Sequence, residues 1–138
     1  MNKSTNKITV KKEGEFSYDI CLEDSFHKLG EELTKLGCQG RKICIVTDTN
    51  VAALYLDEVR EITEEACART EVFCFPAGEE NKTLDVIRSL YKILIEAGFD
   101  RHDFLLALGG GVTGDLTGYA AATYLRGISF IQVPTTLL

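Results

Sequence analysis

Three features are missing from this sequence: a surplus of basic residues, a CxxC pair and an apolar run long enough to cross a bilayer. The 138 residues carry 15 Lys and Arg against 21 Asp and Glu, a formal net charge of -6, which argues against binding nucleic acid or an anionic membrane by bulk electrostatics. The five cysteines are an odd number, which favours reduced and mostly buried thiols. The N-terminus lacks the apolar segment of a signal peptide. These features predict one soluble, cytoplasmic domain.

The sequence does contain alternating strand and helix patterns. ITVKK and FSYDICL, joined at Glu13–Glu15, predict an opening β-hairpin, and Asp24 or Ser25 is expected to cap a helix that runs to about Leu36. Four later apolar runs predict buried strands, and they are separated by helical patterns, the first of them (51–68) with a break near 56–57. The predicted strands cover 42–47, 71–75, 103–108 and 128–133. This alternation predicts an α/β fold with an open, largely parallel, Rossmann-like sheet and helices on both faces.

Polar residues and glycines follow each of the four predicted parallel strands. Ligands of open parallel sheets bind at the carboxyl ends of the strands, so these sets are expected to surround a single crevice. They provide a carboxylate, amides, a lysine, a glycine turn and hydroxyls, which together suit a dinucleotide. The sets are Asp48-Thr49-Asn50, Gly78-Glu79-Glu80-Asn81-Lys82, Gly109-Gly110-Gly111-Val112-Thr113-Gly114-Asp115 and Thr135-Thr136.

The glycine turn lies between a predicted strand and a predicted helix. Gly109-x-Gly111-x-x-Gly114 satisfies the dinucleotide-binding pattern, because glycines allow backbone N–H groups to approach a phosphate at a helix N-terminus. The turn occurs late in the strand order, and no acidic residue follows about twenty positions on, so the common Rossmann arrangement does not apply directly. Asp48 could contact the cofactor from another strand. The alternative is a tight strand-to-helix connection without a ligand.

The other candidate residues also have structural interpretations. Asp48 and Asn50 could cap the helix that follows them, and the charged residues of the Gly78–Lys82 loop could be solvated. The threonines at the last strand could be ordinary strand-end residues, and Arg126 could be a surface cation near a helix C-terminus.

Three segments resemble the 3-dehydroquinate synthase family. GGGVTGDLTGYAAATYLRGISFIQVPTTLL is similar to that family's signature, and VTDTNVAALY and PAGEENKT are similar to its other N-terminal motifs. The resemblance implies that residues 1–138 are an NAD-binding N-terminal domain, with a C-terminal domain that binds zinc or cobalt lying outside this sequence. It further implies a homodimeric cytoplasmic lyase of the shikimate pathway. The implied reaction converts the sugar phosphate 3-deoxy-arabino-heptulosonate 7-phosphate to 3-dehydroquinate and phosphate, for chorismate and aromatic amino acid biosynthesis.

The same resemblance assigns roles to individual residues. Arg126 would bind the substrate's phosphate across a dimer interface, whereas His27 and His102 match no metal-ligand position, so no metal ligand and no catalytic residue is expected in this sequence. The isolated chain is therefore expected to be inactive. The residues implied in NAD binding are Asp48, Thr49, Asn50, Gly78, Glu79, Glu80, Asn81, Lys82, Gly110, Gly111, Val112, Thr113, Gly114, Asp115, Thr135 and Thr136.

Two alternatives stay open at this point. The chain could belong to a sister sugar-phosphate cyclase or a metal-dependent polyol dehydrogenase, since both share the glycine turn. It could also be a free-standing nucleotide-binding module.

Overall fold

A computed structural model describes residues 7–21 and 25–135. The first two strands, β1 (Lys7–Lys12) and β2 (Glu15–Cys21), pair antiparallel as a separate hairpin. The other four strands form one parallel sheet in the order β4-β3-β5-β6. Both the hairpin and the parallel sheet agree with the prediction from the sequence. The strands of the sheet are β3 (Lys42–Asp48), β4 (Arg69–Phe75), β5 (Phe104–Gly109) and β6 (Ser129–Pro134).

The helices connect these strands, with two differences from prediction. The helix expected from Asp24 or Ser25 begins only at Leu29: Lys28 precedes it without a capping side chain, and Asp24 lies outside the described residues. The break expected near 56–57 is a π-helical segment whose backbone stays helical at Leu56. The helices are α1 (Leu29–Lys35), α2 (Thr49–Val51), the π-helical segment (Ala52–Leu56), α3 (Asp57–Ala66), α4 (Leu84–Glu96) and α5 (Gly111–Thr123), with 3-10 turns at Glu79–Asn81 and Tyr124–Arg126.

Helices cover both faces of the parallel sheet. Successive residues of a strand point to opposite faces, so Ile43 and Ile45 join a cluster with α1 and α3, whereas Cys44 and Val46 join a second cluster with α4 and α5. All four of these side chains are fully buried. Burial on both faces explains why β3 has a continuous apolar sequence rather than an alternating one.

The connections after β3 and β5 leave the carboxyl edge of the sheet on opposite faces. From β3 the chain passes into α2 and α3 on one face, and from the adjacent β5 it passes into α5 on the other. The two connections therefore diverge between β3 and β5. Such a reversal of direction is where open α/β sheets bind ligands.

A buried carboxylate joins strands β3 and β5 at the opposite, amino edge of the sheet. Asp103 is 2% exposed and accepts hydrogen bonds from the backbone N–H groups of Lys42 and Asp100, each at 2.8 Å. The ammonium of Lys42 lies 3.7 Å from the same carboxylate. The sequence predicts Asp103 as the first residue of this strand, but β5 begins at Phe104. Asp103 lies in the turn before the strand, where its carboxylate accepts the two backbone hydrogen bonds.

The cysteines divide between the interior and the surface. Cys38, Cys44 and Cys67 are buried, as expected, and Cys21 and Cys74 are exposed. Cys74 lies within the apolar run predicted as a buried strand (71–75), which favours a core position, but it is exposed because β4 is an edge strand of its sheet. The apolar cluster on that face covers Val72 but does not reach Cys74.

Candidate functional site

The loop after β3 is held at the carboxyl edge by two hydrogen bonds. The Asp48 carboxylate accepts a bond from the Val51 N–H at 2.9 Å and so caps α2. The Thr49 hydroxyl oxygen accepts a bond from the Ala77 N–H at 3.1 Å. The second bond joins this loop to the loop after β4, while Asn50 stays exposed.

The loop after β4 reaches across to α5. Asn81 donates from its side-chain amide to the Ala77 carbonyl at 3.1 Å, which stabilises the 3-10 turn. Lys82 then lies 2.7 Å from the Asp115 carboxylate and 3.9 Å from that of Glu79. The hydrogen bond to Asp115 and the charges of both carboxylates raise the pKa of Lys82. The Lys82 side chain therefore carries a positive charge at neutral pH. The remaining residues of this loop, Gly78 and Glu80, are exposed.

The glycine turn leaves the start of α5 accessible. Gly109 has φ +155°, and a Cβ there would lie 2.7 Å from the Thr113 hydroxyl oxygen. Gly110 precedes the helix without a capping side chain, and the first turn contains no acidic residue. A Cβ at Gly111 would meet nothing within 4 Å. Backbone N–H groups with open space before them are the donors that a phosphate requires.

Glycine also controls how closely α5 approaches the sheet. A Cβ at Gly118 would lie 3.3 Å from the Phe130 ring on β6, whereas one at Gly114 would lie 3.9 Å from the nearest atom of Gln132. Gly118 is therefore the position of close helix–strand packing. Gly114, the last glycine of the pattern, donates its N–H to the Gly110 carbonyl at 3.0 Å.

The end of β6 joins the same edge. Thr135 donates its backbone N–H to the Gly109 carbonyl at 3.2 Å, which places the last strand's end beside the glycine turn. Thr136 lies outside the described residues. All four predicted polar sets thus meet at one edge of the sheet. For the last set, Thr135-Thr136, only Thr135 is among the described residues.

Thr47 and Thr113 place two buried hydroxyls at this edge, and the sequence analysis did not identify them as a pair. The hydroxyl oxygens of Thr47 and Thr113 are buried and have no hydrogen-bond partner within residues 7–21 and 25–135. Thr47 directly precedes Asp48, and the Thr113 hydroxyl lies beside Gly109, where an added Cβ would come within 2.7 Å of it. An unpaired buried hydroxyl is costly, so both lower the local stability at the carboxyl edge of the sheet. A threonine within an otherwise apolar strand was the available signal for Thr47.

Arg126 lies far from this edge. It follows the C-terminal end of α5 and precedes β6, so it belongs to the amino edge of the sheet, about 20 Å away along a 13-residue helix. Arg126 is exposed, and both Leu125 (φ 47°) and Arg126 (φ 68°) adopt the left-handed conformation. Within one chain, the structure does not bring Arg126 together with the other candidate residues.

The surface at the glycine turn is open. Two shallow concavities of about 400 and 160 Å³ lie instead on the outer side of α4, around Arg88 and Tyr91. Within the part of the chain that the structure describes, no group of three or more His, Cys, Asp or Glu side chains is arranged to bind a metal ion. Nor does any helix of that part have the length and apolarity needed to span a membrane.

Comparison with known proteins shows which family this chain resembles in sequence. Residues 72–138 match the family model described as 3-dehydroquinate synthase N-terminal. A 3-dehydroquinate synthase of Acetivibrio thermocellus is 45% identical over 122 residues, which cover 88% of this chain and 34% of that protein. Over about nine tenths of its length, this chain is therefore similar to 3-dehydroquinate synthases. A second relative of that name, from Pelobacter propionicus, is 44% identical over 126 residues, 91% of this chain and 35% of its own length. The chain thus spans about a third of these synthases.

Solved structures of related cyclases share the fold. 2-Deoxy-scyllo-inosose synthase, complexed with carbaglucose-6-phosphate, NAD+ and Co2+, superposes with a TM-score of 0.73 at 30% identity, over 80% of this chain and 30% of that one. The 2-epi-5-epi-valiolone synthase of Streptomyces hygroscopicus, with NAD+ and Zn2+ bound, gives 0.67 at 25% identity, over 92% and 35%. Identity to the 3-dehydroquinate synthases is higher than to either of these.

Proposed function

We propose that this chain is the NAD-binding part of a 3-dehydroquinate synthase. The observation that carries the proposal is the uncapped start of α5, which opens between β3 and β5 where the two connections diverge. The residues fit a dinucleotide: open backbone N–H groups suit its pyrophosphate, and hydroxyl and carboxylate oxygens suit its riboses. The solved relatives that contain NAD+ support the same assignment.

Each loop then has a task in holding the cofactor. The N–H groups of Gly111 and Val112 would bind the pyrophosphate. Asp48 uses Oδ1 to cap α2, and we assign its Oδ2 to a ribose hydroxyl. Lys82 and Asp115, now paired with each other, would orient the two ends of the dinucleotide. Thr49, Asn50, the remainder of the Gly78–Lys82 loop, Gly110, Thr113, Gly114 and the Thr135–Thr136 pair complete the proposed binding set.

The complete reaction belongs to a protein of the relatives' full length. NAD held at this site would supply reversible hydride transfer with a substrate alcohol. We propose that the longer protein converts 3-deoxy-arabino-heptulosonate 7-phosphate to 3-dehydroquinate with release of phosphate, and that a metal bound outside this chain assists. Arg126, exposed at the opposite edge, would bind the phosphate of substrate held by a second copy, because its fork of donors suits a dianion.

Amide NMR titration tests NAD binding within one spectrum. On adding NAD we expect shifts at Gly111, Val112 and Thr135 and none at the amino edge around Lys42, which serves as an internal control. Affinity should be weak, on the order of 1 mM or about -4 kcal/mol, because the chain presents an open surface. Shifts centred on the amino edge, or no shifts at several millimolar NAD, would contradict the proposal.

A phosphate-release assay tests the activity separately. This chain alone is expected to release no phosphate from 3-deoxy-arabino-heptulosonate 7-phosphate, whereas the corresponding full-length synthase should do so. Measurable turnover by the chain alone would show that the remaining two thirds of the relatives' length is not needed for catalysis.

A sister sugar-phosphate cyclase is the second candidate, favoured by the structural similarity to 2-deoxy-scyllo-inosose synthase. The higher identity to 3-dehydroquinate synthases argues against it. Thermal shifts of the full-length protein with carbaglucose-6-phosphate and with 3-deoxy-arabino-heptulosonate 7-phosphate would distinguish the two, since only the true substrate class should stabilise it strongly.

A further inference from the structure

Two buried cysteines lie side by side at the amino edge of the sheet. Cys38 and Cys67 belong to the same apolar cluster and are 0% and 9% exposed. Each comes shortly before one of two neighbouring strands, β3 and β4. The Ala68 N–H, directly after Cys67, donates to the Arg41 carbonyl at 2.9 Å. The Arg41 N–H in turn donates to the Cys38 carbonyl at 2.9 Å, so two backbone hydrogen bonds connect the segments that carry the two cysteines.

The two thiols differ in environment. A hydrogen bond between their side chains lowers the pKa of Cys67 and raises that of Cys38. Cys67 is also the more accessible of the two. For Cys44, by contrast, burial is the main cause that raises the pKa, to about 12. The thiolate is the nucleophilic form of cysteine, so Cys67 is the member of the pair that reacts first.

We propose that Cys38 and Cys67 are a dithiol that hydrogen peroxide converts to an intrachain disulfide. The Cys67 thiolate attacks one peroxide oxygen and breaks the O–O bond; the departing hydroxide takes up a proton to become water, and Cys67 becomes a sulfenic acid. The Cys38 sulfur then attacks the Cys67 sulfur, and the sulfenic oxygen leaves as a second water. The two thiols lose two electrons in total, and peroxide gains them.

The disulfide would covalently link the segment that follows α1 to the segment that follows α3. Both cysteines lie at the edge opposite the proposed NAD site, so this inference is independent of the proposed function. Oxidation should leave the NAD-induced amide shifts unchanged. Loss of NAD binding without a Cys38–Cys67 link would instead indicate damage elsewhere.

Peptide mapping of the peroxide-treated chain tests the proposal. The native protein is treated with a small excess of hydrogen peroxide, free thiols are alkylated after unfolding, and the tryptic digest is analysed without reduction. We expect the disulfide-linked pair LGCQGR (36–41) and EITEEACAR (61–69), which disappears on reduction. Two of the five thiols should be lost and the other three alkylated.

Variants separate the two roles. Replacing the exposed cysteines in Cys21→Ser/Cys74→Ser should leave the linked peptide unchanged. Cys38→Ser should accumulate a sulfenic acid on Cys67 that dimedone traps, whereas Cys67→Ser should show neither product. Alkylation of both Cys38 and Cys67 in the oxidised wild type, or a link that involves Cys21 or Cys74, would overturn the proposal; this wild-type measurement does not depend on the variants folding.

Discussion

Replacing Gly109 by alanine should strongly destabilise the protein. The backbone at Gly109 has φ +155°, where side chains are strained, and the new Cβ would lie 2.7 Å from the hydroxyl oxygen and 3.0 Å from the Cβ of Thr113. Thr113 is fully buried, so it cannot rotate out of the way. Backbone strain costs about 1–3 kcal/mol and overpacking costs about 1–3 kcal/mol, so we expect a loss of about 3 kcal/mol.

Gly111→Ala is the matched control, two residues away in the same turn. A Cβ there meets nothing within 4 Å, and alanine is the better helix former. Stability should stay the same or rise by up to about 1 kcal/mol. The methyl group would nevertheless occupy the open space before the helix start, so NAD affinity should fall by roughly tenfold, or about 1.4 kcal/mol.

Urea denaturation followed by far-UV circular dichroism measures the first effect, and NMR titration with NAD measures the second. A loss of less than about 0.5 kcal/mol in Gly109→Ala, below the usual cost of such strain, would refute the steric argument. If Gly111→Ala bound NAD as tightly as the wild type does, the result would show that the pyrophosphate does not bind beside Gly111 at the start of α5.

Four further substitutions, at three positions, test other contacts. Asp48→Ala should lower the free energy of unfolding by about 1 kcal/mol, because it removes the cap on the Val51 N–H. Asp48→Asn keeps the cap and should weaken only NAD binding. Equal urea midpoints for the two variants would contradict this expectation. Asp103→Ala leaves two backbone N–H groups without their acceptor and should cost about 3 kcal/mol, measured by the same denaturation. Lys82→Met removes a solvent-exposed ion pair with Asp115, so the midpoint of thermal unfolding should barely change. The amide shifts induced by NAD should become smaller. A large fall in the thermal midpoint would show that Lys82 has a structural role instead.

The strands of the parallel sheet could be predicted because burial on both faces imposes a local pattern. The continuous apolar run at 42–47 became β3 with one more residue, Asp48, at its end. Helix starts were harder, since capping depends on loop geometry: Ser25 was expected to cap α1, yet its hydroxyl pairs with the His27 ring and the helix starts later. For Asp48 the structure confirms the capping interpretation, and its role toward NAD stays a prediction.

The order of elements along the chain determined that this is a parallel α/β sheet with its polar loops at one edge, because each β-α-β crossover returns the chain to the same side. Only the tertiary structure decided which distant residues meet. It separated Arg126 from the glycine turn by the length of α5, left Cys74 exposed on an edge strand, and brought Cys38 to Cys67 although the sequence has no CxxC pair. Local periodicity encodes which face of an element is apolar; strand order, which decides these encounters, depends on how all the faces pack together.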